Sequence, residues 1–420
     1  MTLDTVRART AAATAGLGEV AVTGLGVAAP NGVGAEQYWR ATLDGVSGIR
    51  AVSTFAADGY PVCLAGEIPE CDAEKAVARR LVPQTDRMTR LALLASDEAL
   101  GDAGVDPAAL DEYAMGVAVS STTGGLEFGQ RELQALWRDG WESVSAYMSF
   151  AWYYAVNTGQ ISIRHGMRGP GGVTVSEQAS GLDSLAYARR RIRKGTAVMT
   201  AGGLDSMQCP YGMAIQSTAA GSSRAADPGV AYRPFDAEAT GWVPGEGGAV
   251  LMLESLAGAR ERGAPRVYGV LAGYGAAFDP EPAGSGGGGL RRAASTALVD
   301  AGLEPGDVDV VFADGAGVPA ADRAEAEALA VLFGERGVPV SVPKTMTGRL
   351  LSGGAALDVV AALLSIRDGL VPAAAHARAE ALDSRVDLVT GRPRALRVDT
   401  ALVLAHGHGG FASALVLTRP

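Results

Sequence analysis

Residues 173-VTVSEQASGLDSLAYARRRIRKG-195 decide how this chain is read. A β-branched run leads into small residues, and these pass directly into a helical pattern that closes on Gly195. That is the order of a strand, a sharp turn and a helix start. Many α/β enzymes display a nucleophile there, because the turn aims one side chain outward and the free N–H groups of the first helical turn favour negative charge. Here the apex is Gln178. A carboxamide nitrogen has a delocalised lone pair and no proton to lose near neutral pH. The elbow therefore has the layout of a reactive site and carries the wrong atom for one.

The same plan of strand, small-residue turn, helix and closing glycine recurs in 340-VSVPKTMTGRLLSGGAALDVVAALLSIRDG-369, with little identity to the first copy. Around both copies, strand-like runs alternate with helical patterns: VAVTGLGV, MGVAVSS, GVTVSE, AVMTAGG, GAVLMLE, RVYGVLAGYG, VDVVFAD, PVSVPKT and TALVLAHG. Continuous apolar strands between helices predict an α/β fold whose sheet is covered on both faces. Amphipathic helices are expected over 89–104 and 290–302, each stopped by a glycine, Gly104 and Gly302. A polar break at ESLAGARERGAP, near 255–265, divides two pseudo-duplicated halves, 19–258 and 259–420, behind a poorly ordered leader of residues 1–18. The run 280-PEPAGSGGGG-289 reads as a flexible surface loop.

The totals exclude several functions. With 420 residues, 48% hydrophobic and 20% charged, the chain can bury two substantial cores or one shared between halves. A net charge of −10 argues against nucleic acid and anionic membranes as partners, since both demand a basic face. Cys63, Cys71 and Cys209 are scattered and odd in number, so neither a disulfide framework nor a zinc site is indicated, and a reducing cytoplasm is the expected compartment. No run has the length of a membrane span or a signal-peptide core. The strand start 20-VAVTGLGVAAPNG-32 fits the loose dinucleotide pattern G-x-G-x-x-A, but Pro30 and Asn31 fall where a phosphate-binding helix should run, and an edge turn is the expected reading. No metal and no cofactor is called for.

Four motifs in order carry a resemblance. The stretch 233-RPFDAEATGWVPGEGGAVLMLE-254, the GLDS after the elbow, the K-T-x-x-G turn at 344–348 and the G-H-G-G turn at 407–410 resemble those of the β-ketoacyl synthase family of thiolase-fold enzymes. The resemblance implies a thiolase-like fold, two αβαβα halves in a five-layered core. It also implies an active site of one cysteine, which accepts the acyl chain, and two histidines, which stabilise the enolate formed by decarboxylation of a malonyl thioester. This chain departs from that pattern at all three positions. Gln178 stands at the cysteine, Asp314 at the histidine of the H-G-T-x-T-P turn, and Arg349 at the second histidine. Asp314 and Arg349 are expected to face each other and pair as a structural plug, with Lys344 and Glu325 nearby. His165, expected near a subunit contact, and His376, His406 and His408, read as loop or surface residues, fall in neither histidine position.

The elbow E-Q-A-x-G-L-D, with 128-FGQRELQALW-137 and 149-SFAWYYAVNTGQISIRHGMRGP-170, resembles most closely the chain-length factors of type II aromatic polyketide synthases. That resemblance implies a non-catalytic subunit. It would pair as a heterodimer with a cysteine-bearing ketosynthase and work with an acyl carrier protein whose phosphopantetheine arm carries malonyl units and the growing chain. Leu126, Gly129 and Leu133, at i, i+3 and i+7, would then line the polyketide channel, and the absence of bulky aromatics implies a product longer than an octaketide. Phe150, Trp152, Tyr153 and Tyr154 would lie in the subunit interface, although core packing explains such aromatics equally well. Two other readings are a malonyl-thioester decarboxylase that makes an acetyl starter through Gln178, and a free-standing thiolase-like enzyme using Cys209.

Overall fold

Among the described residues the chain builds one mixed sheet from seven strands of six or more residues and four short ones. The coordinates are a computed structural model and describe residues 18–69, 77–279, 288–378 and 383–420. The strands of the sheet are β1 (Val20–Ala29), β2 (Gly32–Val33), β5 (Met115–Ser120), β6 (Val198–Asp205), β7 (Gly247–Ser255), β8 (Gly269–Phe278), β9 (Val310–Phe312), β10 (Pro339–Ser341), β12 (Asp387–Leu388), β14 (Thr400–Gly407) and β15 (Phe411–Thr418). Two small pairs, β3 (Ile49–Ala51) with β4 (Leu64–Gly66) and β11 (Leu370–Val371) with β13 (Arg394–Ala395), stand outside it. The order is β12-β10-β9-β14-β15-β8-β1-β7-β6-β5, with β2 hairpinned onto β1. The halves join where β1 meets β8 antiparallel, over Ala21↔Val270 and Val22↔Gly269.

Helices complete five layers. Outside the first half lie α1 (Arg87–Ala103), packed on β1 and β7, and α3 (Val156–His165), packed on β5 and α1. Outside the second half lie α6 (Gly288–Ala301), on β8 and β15, and α7 (Pro319–Phe333), on α6. Between the sheet halves run α4 (Ser180–Ile192) and α8 (Ser352–Asp368), which share one core with strands from both halves. Helix α8 is buried continuously from Ser352 to Ile366, as expected of a helix that is apolar all round. At roughly 1.5–3 kcal/mol for each large apolar side chain removed from water, such a central layer dominates folding of the chain. The two central helices approach most closely at Gly181, where a Cβ would stand 2.6 Å from the Ser352 carbonyl oxygen. The glycine of the GLDS motif therefore sets the spacing of this layer. Two more helices, α2 (Leu126–Asp139) and α5 (Pro210–Thr218), lie beside each other near the first half.

The structure corrects three local expectations. The G-x-G of residues 24–26 lies inside β1, not in an edge turn. A Cβ at Gly24 would meet the Ala99 oxygen at 2.2 Å and one at Gly26 the Ala95 oxygen at 1.8 Å, so these glycines let α1 press onto the sheet. The run GVTVSE forms no strand. Only Gly171, just before the run, bridges β5, at Val117, with the Gly172 N–H on the Val117 carbonyl at 3.2 Å, and beyond it Thr158 Oγ1 of α3 takes both the N–H and the carbonyl of Val119, at 3.0 and 3.1 Å, in place of a ladder. Strand β15 went unread, since its alternation of Ala and Ser with Leu and Val is weak as an apolar run. Helix α1 ends on Gly104 at φ 61 and α6 is followed by Gly302 at φ 70, as the glycine stops predict. The leader to residue 17, the loop at 280–287 and Cys71 lie outside the described residues. Among the described residues no helix is long and apolar enough to cross a membrane, and no group of three or more His, Cys, Asp or Glu side chains could hold a metal.

Candidate functional site

The elbow is built from a left-handed residue. Glu177 takes φ 54 and opens a 3₁₀ turn, Glu177–Ala179, that runs into α4. Such a conformation in a residue other than glycine costs about 1–3 kcal/mol and persists only where the surroundings impose it. They do so here: the Ser176 N–H donates to Ser180 Oγ at 2.7 Å, and Ser176 Oγ donates to Asp183 at 2.5 Å. Asp183 in turn accepts from Tyr274 and Ser413 on the second-half strands β8 and β15. The apex side chain, Gln178, is buried and turned into the fold. In the amide orientation that satisfies both ends, its nitrogen donates to the Leu351 carbonyl and its oxygen accepts from the Leu351 N–H, each at 3.2 Å. Leu351 is itself at φ 51, immediately before α8. The amide thus holds a strained backbone at the helix entrance and has no free face toward a substrate.

At the other two family positions, Asp314 follows β9 and Arg349 precedes α8. The structure brings them together: Nη1 of Arg349 donates to Asp314 Oδ2 at 2.9 Å and Nη2 to Oδ1 at 3.2 Å, a two-pronged pair with both side chains 6% exposed. The remaining donors and acceptors are also used. Arg349 donates to the Asp314 and His406 carbonyls, each at 3.2 Å, and Asp314 Oδ1 accepts from the His406 N–H at 3.0 Å. Burial alone would raise the Asp314 carboxyl, but the Arg349 and Lys344 charges outweigh it and hold it below the ordinary carboxylate range.

Lys344 and Glu325 frame the same corner. Lys344 Nζ donates to the carbonyls of Ala313 and Asp314, at 2.7 and 3.0 Å, and lies 2.6 Å from Asp358 of α8. Glu325, on α7, accepts the N–H groups of Asp314 and Gly315, both at 2.8 Å. Burial, then the charge of Asp314, pushes its carboxyl up to about 8. Burial likewise pushes Asp322 to about 7 and Asp358 to about 6. Four acids and two bases therefore share one dry corner, and its backbone turns are fastened by side chains on all sides.

The other candidate residues lie on the opposite flank of the elbow. Leu126 is half-buried at the start of α2, and Gly129 is buried with only Trp152 Cβ, at 3.6 Å, near the place of its missing side chain. Leu133 is exposed and opens onto a groove of about 690 Å³ lined also by Gln130, Gln134, Trp137, Arg138 and Tyr211. The three residues share a helix face, but only Leu133 lines this groove. The segment 147–155 is a 3₁₀ turn and loop, not a strand of the core. In it Trp152, Tyr153 and Tyr154 are 47%, 41% and 39% exposed, with Phe150 half-buried beneath them. Side chains this apolar and this exposed in one chain are not explained by its own core.

Family profiles and individual relatives fix the family and the fold. The profile of the β-ketoacyl synthase N-terminal domain matches residues 18–259, and that of the C-terminal domain matches 268–378. The chain belongs to the β-ketoacyl synthase family. This family member is 57% identical over 401 residues to the tetracenomycin polyketide synthase ketoacyl synthase beta subunit of Streptomyces glaucescens, covering 95% of this chain and 98% of that one. It is 54% identical over 400 residues to the actinorhodin polyketide putative beta-ketoacyl synthase 2 of Streptomyces coelicolor, with 95% and 98% coverage. Among solved structures, the ishigamide ketosynthase/chain length factor superposes with a TM-score of 0.89 at 26% identity, over 96% of this chain and 99% of that chain. These likenesses place this β-ketoacyl synthase among the chain-length factors, the ketosynthase beta subunits of type II polyketide synthases, on the thiolase-like fold that the sequence motifs imply.

Within the synthase fold His376 and His408 lie in exposed turns, as expected, and His406 departs from the loop reading. His406 is no loop residue: it closes β14 and lends its backbone to the Asp314–Arg349 pair. His408 offers its backbone N–H to Glu177, and His376 sits at φ 59 in a turn. His165 ends α3, with its ring on Ser96 Oγ at 3.2 Å and Asp97 at 3.3 Å. Cys209 is buried and caps α5 by accepting the Gly212 N–H at 3.4 Å. Burial pushes its thiol up to about 11, so it stays protonated at neutral pH and is no nucleophile. Glu246 of the G-E-G motif is structural, accepting from Nε and Nη2 of Arg87, each at 2.8 Å. Sequence reading missed Asp358, Glu177 and Asp205. The last collects Ser121, Thr122, Thr123 and Ser352, so it ties the loop before α2 to the start of α8.

Proposed function

We propose that this chain is the non-catalytic, chain-length-determining subunit of a type II polyketide synthase. It pairs with a cysteine-bearing ketosynthase and moulds the channel in which malonyl units delivered on acyl carrier protein are joined. The single observation that carries the reading is the state of the three family positions: an amide fastened to the Leu351 backbone, and an aspartate–arginine pair where the family uses imidazoles. A group with no ionisable proton cannot form the acyl thioester, and a guanidinium locked to a carboxylate has no face left for a developing enolate. The starter-generating decarboxylase finds no support, since the Gln178 amide faces backbone rather than substrate. Relatives support the partners by their titles: one solved structure of the family, at 25% identity and a TM-score of 0.83 over 96% of this chain and all of that chain, is a type II acyl-carrier protein in complex with its ketosynthase bound to a hexaketide. We place the complex in the cytoplasm, in line with the cysteine usage.

The test is reconstitution. The isolated chain, given malonyl-loaded carrier protein, is expected to form no ketide bonds. The heterodimer is expected to elongate with no acyl mass on residue 178, and Gln178→Ala is expected to leave elongation intact. An acyl group on this chain, or loss of priming in Gln178→Ala, would overturn the reading. The exposed aromatics supply a second measurement. Trp152→Ala should weaken pairing with the ketosynthase by at least about tenfold in Kd, as for a central aromatic anchor, and unchanged affinity would remove this loop from the interface.

A further inference from the structure

The elbow carries a second closure that Gln178 does not explain. Glu177, one residue before the apex, folds its carboxylate back onto the N–H of His408, at 2.5 Å. The turn it meets is pressed hard against the elbow: a Cβ at Gly407 would stand 2.2 Å from the Ser176 carbonyl oxygen. The same turn is held on its other side by Asp314 and Arg349, through the N–H and carbonyl of His406. A backbone N–H fixed beside a strand–helix elbow is where acyl-transfer enzymes receive the carbonyl oxygen of a thioester, and its worth lies in being aimed and unoccupied before the substrate arrives. In this chain that donor is already satisfied by a full negative charge from the neighbouring residue.

We propose that Glu177 is a built-in plug. Its carboxylate occupies the His408 N–H beside the elbow, a donor of the kind that an acyl thioester carbonyl would use, so the elbow is closed to acylation independently of the amide at its apex. The inference rests on the reading of the elbow as non-catalytic, and it goes further: it holds that replacing the amide with a thiol does not by itself reopen the site. Two costs would face a thioester there, displacement of the carboxylate from its donor and repulsion between that carboxylate and the oxyanion formed on attack. Glu177 pays back its own left-handed backbone by that bond, which couples the plug to the shape of the turn.

The experiment uses the heterodimer with Q178C, Q178C/E177Q and Q178C/E177D, and it reads residue 178 alone by peptide mass. Two reagents separate thiol reactivity from carbonyl stabilisation. With iodoacetamide the thiolate displaces iodide and an S–C bond forms, with no oxyanion. With a small acetyl thioester the thiolate attacks the carbonyl, an oxyanion forms and collapses, and the original thiol leaves with a proton. Q178C is expected to alkylate yet acylate poorly. In Q178C/E177Q the ratio of acylation to alkylation should rise by about tenfold or more, the scale on which single oxyanion donors act. Q178C/E177D, which keeps the charge on a shorter arm, should fall between, and it stands in if the glutamine variant does not assemble. An unchanged ratio across the set would overturn the plug. An acyl group on residue 178 of the unmodified chain within the heterodimer would instead sink the non-catalytic reading, so the two failures are distinct.

Discussion

Arg349→Ala is expected to lower the unfolding free energy by about 3–5 kcal/mol, because it leaves the Asp314 carboxylate buried without its counter-charge. The substitution also removes the Arg349 bonds to the carbonyls of Asp314, which keeps Lys344, and of His406, and opens a cavity under Trp242, whose ring the guanidinium faces at 5.8 Å. Arg349→Met, of similar length and apolar, should destabilise as long as Asp314 remains. A double replacement of both partners by apolar residues should recover much of the loss, since the attraction of such a pair is offset by the cost of drying two charges. The pH dependence has a definite sign. The pair holds the Asp314 pKa below its unfolded value near 3.8, so its stabilisation is present above that value and is lost as the pH falls through the folded pKa. The gap between wild type and Arg349→Ala should therefore be widest near pH 7–8 and shrink as the pH falls and Asp314 protonates in the variant. Urea unfolding of the heterodimer at several pH values measures it. A gap under about 1 kcal/mol at neutral pH would mean that the pair is not load-carrying in the fold.

Most of this layout is legible in the residues themselves. The elbow at Gln178 and the α/β class follow from the residues themselves, while the opposition of Asp314 to Arg349 and the five-layer plan follow from the resemblance that the four motifs carry. What stayed hidden was of two kinds. Side chains that answer one another across the fold carry no local signal: Lys344 meets Asp358 from a different helix, and Asp183 bonds to Tyr274 and Ser413 in the opposite half. Backbone donors carry none either, so the N–H of His408 and the carboxylate that fills it could not be read from the string. The failed strand at 173–176 has the same origin. Its composition is right for a ladder, but a threonine side chain from α3 reached the edge of β5 first. Glycines were misread for a related reason. A turn and a close approach both call for a missing Cβ, and only the position of α1 tells them apart at Gly24 and Gly26.

Gly129→Phe is expected to shorten the major polyketide made by the heterodimer by at least one ketide unit. The position tolerates a side chain locally: a Cβ there meets only Trp152 Cβ, at 3.6 Å, an ordinary van der Waals contact. A phenyl ring extends away from the helix past that contact, and on the proposed channel assignment it narrows the path and halts the chain earlier because the poly-β-ketone has nowhere to grow. Gly129→Ala separates size from helix stability. It should stabilise α2 by about 0.5–1 kcal/mol through the lower backbone entropy of alanine and leave the product length unchanged. Trp152 packs against the same point and belongs to the loop proposed as interface, so the pairing affinity of Gly129→Phe must be measured with its products. Intact pairing with a shorter product places the stripe in the channel. Intact pairing with an unaltered product means that α2 only supports the interface, and that chain length is set by some other surface of the pair.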